Sequence, residues 1–202
     1  MGAVRAKILL PILLMIVFAA TRWPGLLPWN FSAAYALMFC AGVYFPKRLV
    51  WWLPFTTMFV TDVLLNLYWK APILGPEMIG NYLAYAGLVL LGRWFSPKSS
   101  WVGLLSGGLL GAILFYLISN TTSWLFNPFH NPEYTKTLQG WITALSSGTA
   151  GWPQTWEFFR NTLLSGGLFT GLFAGAMKLS EAAEPEEKEE EQPEEQPEEA
   201  KA

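Results

Sequence analysis

The sequence predicts an all-α integral membrane protein: a six-transmembrane-helix bundle over residues 1–180, followed by a disordered acidic tail over 181–202. Three observations predict it. The 202 residues are 52% hydrophobic and 14% charged and include 11 Trp, too apolar and aromatic for an average soluble domain. Six apolar segments recur, at about 6–21, 31–46, 49–69, 79–95, 101–119 and 159–178. The charge is also segregated. Eleven of the 15 acidic residues lie in the last 22 positions with two of the 13 Lys and Arg, leaving eleven bases against four acids in the body.

In the first segment Arg5 and Lys7 precede the apolar run, an arrangement that imitates a signal peptide. Pro11, and the lack of an A-x-A site before Thr21, favour an uncleaved span. The second segment, FSAAYALMFCAGVYF, repeats small residues at Ser32, Ala36 and Cys40. Gly103, Gly107 and Gly111 in the fifth segment and Gly167, Gly171 and Gly175 in the sixth have the same spacing, which lets helix backbones approach closely. Several segments are shorter than the ~20 residues of a perpendicular span, so the bundle is expected either to thin the bilayer or to bury short helices. The connection 120–158 is long; its KTLQGWITALSSG stretch reads as a short helix on or dipping into the membrane. The tail, rich in Glu and Pro without apolar anchors, reads as disordered.

Loop charges set the orientation. Arg5 and Lys7, Lys47 and Arg48, and Arg93 and Lys98 mark one side, against single bases at Arg22 and Lys70 on the other. Short basic loops stay cytoplasmic, which places both termini inside a bacterial cytoplasmic membrane.

Asp62 is the only aspartate, and it sits inside the third apolar segment. An ionised carboxylate there costs roughly 2.5–3.5 kcal/mol on insertion scales, so it faces protein or a watery cavity and marks a candidate site. Asn66, four residues on, shares its helix face. In the expected topology Asp62 and Asn66, Asn81, Asn120, and Arg160 with Asn161 converge on one outer-leaflet region. Other chemistry finds little material. One Cys excludes an internal disulfide and a Cys-cluster metal site, and His130 is the lone histidine. No P-loop or GxGxxG occurs, and no basic stripe suits nucleic acid. An enzyme and a cofactor are not expected.

Several stretches carry a resemblance: NFSAAYAL with Arg22 and Pro24 upstream, AGVYFPKRL, the Thr61-Asp62 pair, NYLAYAGLVLLGRW, Ser119-Asn120 to Trp124, YTKTLQG and FFRNTLL. In this order they resemble a bacterial family of uncharacterised six-span membrane proteins described as transport proteins, over about residues 20–175. That family in turn looks like the substrate-binding S components of energy-coupling-factor transporters. The resemblance implies site residues at Asn30, Asp62, Asn81, Asn120, Trp124, Tyr134, Lys136, Arg160 and Asn161. The sequence departs from the pattern in three places. Ser165-Gly166 follows FFRNTLL where the family has Gly-Asp, Thr121-Thr122-Ser123 replaces Phe-Gly-Val, and the first span lacks an Ala-x-x-x-Ala docking face.

Two expectations follow. In one, the protein binds an unknown small solute in an outward-facing pocket, with Asp62 and Arg160 near its floor and Trp124, Tyr134 and Lys136 in a covering loop. A separate energising or membrane subunit would then be a partner. In the other, the protein is a membrane scaffold or assembly subunit, and Asp62 and Arg160 form a structural ion pair.

Overall fold

The computed structural model describes residues 2–182, without the side chains of residues 2–8, Glu77 and Glu181. The remainder of the acidic tail, with the expectation of disorder, lies outside the described residues. The described residues form seven helices: α1 (Gly2–Thr21), α2 (Ala34–Tyr44), α3 (Trp52–Tyr68), α4 (Glu77–Gly92), α5 (Trp101–Phe126), α6 (Leu138–Leu145) and α7 (Thr155–Ala182). No strand occurs among the described residues.

The helices follow the apolar segments, with boundaries set by local chemistry. Ser100 caps α5 by accepting a hydrogen bond from the Gly103 amide at 3.1 Å, and Asn127 ends it in the left-handed region at φ 41°. The sixth apolar segment becomes the 28-residue α7. The fifth does not stop at 119: α5 continues to Phe126, which puts Asn120 inside a helix. The KTLQGWITALSSG stretch forms α6, capped by the Thr137 hydroxyl on the Gly140 amide at 3.2 Å.

At 11 residues and ~1.5 Å rise per residue, α2 is only about 16 Å long. It is buried along almost its whole length and forms the hub of the bundle, packed by α4, α5 and α7. Leu37, Met38 and Phe39 of α2, Leu88 of α4 and Leu104 of α5 are fully enclosed in its core. A Cβ on Gly42 would overlap the Val89 carbonyl oxygen, and one on Gly92 would overlap the Phe39 carbonyl oxygen. Both glycines are therefore required where α2 and α4 cross. A Cβ on Gly108 of α5 would likewise run into Thr170 of α7. These closest approaches fall outside the small-residue stripes expected from spacing. Of those, Gly107 faces the Phe39 and Phe95 rings, whereas Gly171 has ordinary space beside Leu105.

Two helical stretches, Trp101–Phe126 and Thr155–Ser180, are long and apolar enough to cross a membrane. Ala34–Tyr44 and Met78–Gly92 are apolar but shorter, as is Leu9–Thr21, the part of α1 whose side chains are described, so among the described residues length and composition give two candidate spans where six were expected.

Candidate functional site

The bundle has two ends. One carries the connections 45–51 and 93–100, and there the Lys178 ammonium donates to the carbonyls of Pro97 and Ser99 at 3.0 Å each. The other carries the connections after α1, α3 and α5 and encloses a cavity of about 600 Å³.

Of the residues expected to converge, Asn81 and Asn120 line this cavity, and so does Asn30, a position that the resemblance implied. Asn81 and Tyr85, four apart on α4, face it with Ser119, Asn120 and Ser123 of α5. Its apolar wall includes Tyr85 and Phe115, stacked at 4.9 Å between ring centroids, with Tyr35 against Phe115 at 4.7 Å.

Arg22, at the end of α1, supplies the charge lining the cavity. Its guanidinium pairs with Asp62 Oδ1 at 2.5 Å, contacts the Met58 sulfur, and lies 5.8 Å from the Phe18 ring centroid. The Tyr82 hydroxyl donates to Asp62 Oδ2 at 2.9 Å. Both carboxylate oxygens are thus engaged, and the Arg22 and Asp62 side chains are only 16% and 17% exposed. This corrects the expected Asp62–Arg160 pairing. Arg160 is exposed and lies over the Trp156 ring at 5.6 Å. Arg22 sits at the end of its own helix, where a loop base and a buried counter-ion read alike in sequence.

The covering segment differs too. Trp124, Tyr134 and Lys136 do not line the cavity. The Lys136 ammonium instead donates to the carbonyls of Trp124 and Leu125 at 2.5 Å each, satisfying the C-terminal end of α5. The Trp124 indole donates to the Thr135 carbonyl at 2.7 Å. Tyr134 is half-buried beside this cluster, and burial raises its phenol pKa, with the Glu133 charge adding to the effect. Glu133 Oε1 accepts from the Ala150 amide at 2.9 Å, which lowers its carboxyl pKa.

What covers the cavity is the first connection, with only Phe158 from the start of α7. The sequence signal was the turn-rich run WPGLLPWN: Gly25 takes φ 78° and Asn30 φ 57°. Asn161 does not line the cavity but holds this cover, donating to the Trp29 carbonyl at 2.9 Å, while the Trp29 ring meets Trp152 edge-on at 6.1 Å. Asn66 is likewise a tie, donating to the Ile73 carbonyl at 3.2 Å across the α3–α4 connection. Among the described residues no group of His, Cys, Asp or Glu is placed to hold a metal.

A family model described as a family of unknown function, DUF6580, matches residues 3–188. The chain belongs to that family. No curated protein and no solved structure matches it. Membership agrees with the uncharacterised-family part of the resemblance drawn from the motifs and carries no information about S components.

Proposed function

We propose that this DUF6580 protein is a multi-pass membrane protein that binds a small solute in the Arg22 cavity, as an S-component-like subunit of a transport system. The observation that carries the reading is the guanidinium of Arg22. It lines a 600 Å³ cavity rich in amides and aromatic rings while pairing with Asp62, whose other oxygen accepts from the Tyr82 hydroxyl. Ligand sites have this make-up: largely apolar walls with a few positioned polar groups. Among the residues whose side chains are described, no acid lines the cavity, which favours a solute bearing hydrogen-bond acceptors or an anionic group.

The exterior supports the membrane setting. Ile16, Leu64, Ile79, Leu83, Leu164 and Leu172 are each more than half exposed on the helix faces. Exposed Lys47, Arg48, Arg93 and Lys98 lie at the end opposite the cavity, so the positive-inside rule turns the cavity outward. With no ATPase motif in the chain, energised uptake would draw on a separate subunit.

Native mass spectrometry of the detergent-purified protein, incubated with cell extract, tests the reading. A discrete adduct is expected on wild type and lost in a folded Asn81→Leu variant. An adduct of undiminished abundance in that variant would sink the cavity assignment.

One observation favours a scaffold instead: both Asp62 oxygens already have protein partners. On that reading Asp62→Ala or Arg22→Ala costs ~3–5 kcal/mol, and joint apolar replacement, Arg22→Met with Asp62→Leu, restores stability. Chemical unfolding of the four proteins measures this cycle. Restored stability with retained ligand binding would mean that the pair is structural and the amides carry the solute.

A further inference from the structure

Four exposed bases gather at the end of the bundle away from the cavity. Lys47 and Arg48 follow α2, and Arg93 and Lys98 follow α4. The two connections start side by side, because α2 and α4 cross there. A Cβ on Gly42 would lie 3.1 Å from the Arg93 amide nitrogen. Among the described residues none of the four bases pairs with a carboxylate. The acids whose side chains are described are engaged or placed elsewhere. Asp62 pairs with Arg22, Glu133 accepts from the Ala150 amide, and Glu157 lies in the first turn of α7 beside Phe158 of the cavity cover.

The chain carries the opposite charge to the same end. The Lys178 ammonium of α7 donates to the Pro97 and Ser99 carbonyls at 3.0 Å each, on either side of Lys98. From there α7 has only four residues left, about 6 Å of helix, before it ends at Ala182. Residues 183–202 follow, with ten Glu against Lys188 and Lys201. At ~3.3–3.6 Å per extended residue, this segment is long enough to pass over both basic connections. One exposed ion pair is weak and easily screened. A tethered polyanion meets all four bases at high effective concentration, so weak pairs act together.

We propose that the acidic segment 183–202 docks on the basic end of its own chain, over Lys47, Arg48, Arg93 and Lys98. The complementary charge and the point where α7 releases the chain carry the proposal, which does not depend on what the cavity holds. The contact is an exchanging set of ion pairs. An anionic lipid headgroup or an acidic partner that uses this end must displace the segment first.

The test uses the full chain in phosphatidylcholine nanodiscs, treated with a carbodiimide that joins touching carboxylates and amines. Cross-linked peptides are mapped by mass spectrometry, and mixed isotope-labelled copies separate bonds within a chain from bonds between chains. Cross-links from Lys47 and Lys98 to glutamates of 184–199 in the same chain are expected. They should fall severalfold between 0.1 M and 1 M salt, as the Debye length shrinks from about 10 Å to about 3 Å. Cross-links from Lys188 and Lys201 to their sequence neighbours should persist and serve as the control. In a folded variant combining Lys47→Gln, Arg48→Gln and Arg93→Gln, coupling to the remaining Lys98 should also fall severalfold. Coupling confined to Lys188 and Lys201, or indifferent to salt and to the variant, overturns the proposal. Coupling found only between copies assigns the basic end to a second chain and overturns it too. Yield retained in nanodiscs containing phosphatidylglycerol supports the segment as occupant. Yield abolished there gives the basic end to anionic lipid, and the proposal falls.

Discussion

At the residue scale, three positively charged groups at the cavity end of the bundle show how similar side chains take different roles. Arg22 is held by a carboxylate at 2.5 Å and lines a cavity, Arg160 lies over an exposed indole, and Lys136 caps a helix. In sequence Arg22 and Arg160 are single bases at the ends of apolar runs and Lys136 is a single base in the long connection, and nothing in those settings tells their roles apart. Glu133 illustrates the same point with the opposite charge. Its carboxylate accepts from the Ala150 amide and so is held below its usual pKa. A lowered folded-state pKa means that the contribution is present above the unfolded value and is lost as pH falls through the folded one. Hydrogen exchange at the Ala150 amide should therefore be slow at neutral pH, after correction for intrinsic rates. It should lose protection on acidification below the ordinary carboxylate range. In Glu133→Gln the acid-dependent step should vanish; a step that persists would assign it to another group.

At the element scale, α2 is short and forms the hub of the bundle, and its close crossing with α4 depends on glycine. Gly42→Ala or Gly92→Ala would drive a methyl into a carbonyl of the facing helix, a cost of ~1–3 kcal/mol for overpacking. Gly171→Ala, with ordinary space around it, should cost far less. Unfolding titrations in one detergent would rank the three, and equal losses would contradict the crossing geometry. The first connection is a second case. Asn161 and Trp152 anchor it at Trp29, so Asn161→Ala should raise hydrogen exchange across residues 22–31 while leaving α2 protected.

At the scale of the whole molecule, the cavity lies at one end and the basic connections at the other. The proposed orientation makes a direct prediction. In a background lacking Cys40, Trp23→Cys should react with an impermeant maleimide on intact cells, and Lys98→Cys only after permeabilisation. The reverse pattern would turn the cavity to the cytoplasm. Trp23 is 68% exposed and Lys98 is also exposed, so neither readout is blocked by burial.

The sequence by itself determined the all-helical class and the sites of the helices, because apolar runs and breaker residues act locally. It also placed Asn81 and Asn120 at one end, where both line the cavity, since alternating helices return polar residues at like depths to one end. It singled out Asp62, because a lone carboxylate in an apolar run is costly wherever its partner lies. The partner was another matter. Arg22 and Tyr82 stand 40 and 20 residues away, and no periodicity links positions on three different helices. The same limit explains the cover. The 120–158 connection drew attention by its length, yet α5 absorbs its start and α6 part of the rest, and the short WPGLLPWN run closes the cavity. Only packing around the short α2 decided which loop lies over the cavity and which pair of helices, α3 and α4, stands apart. Those are properties of how surfaces fit, and single-chain periodicity does not encode them.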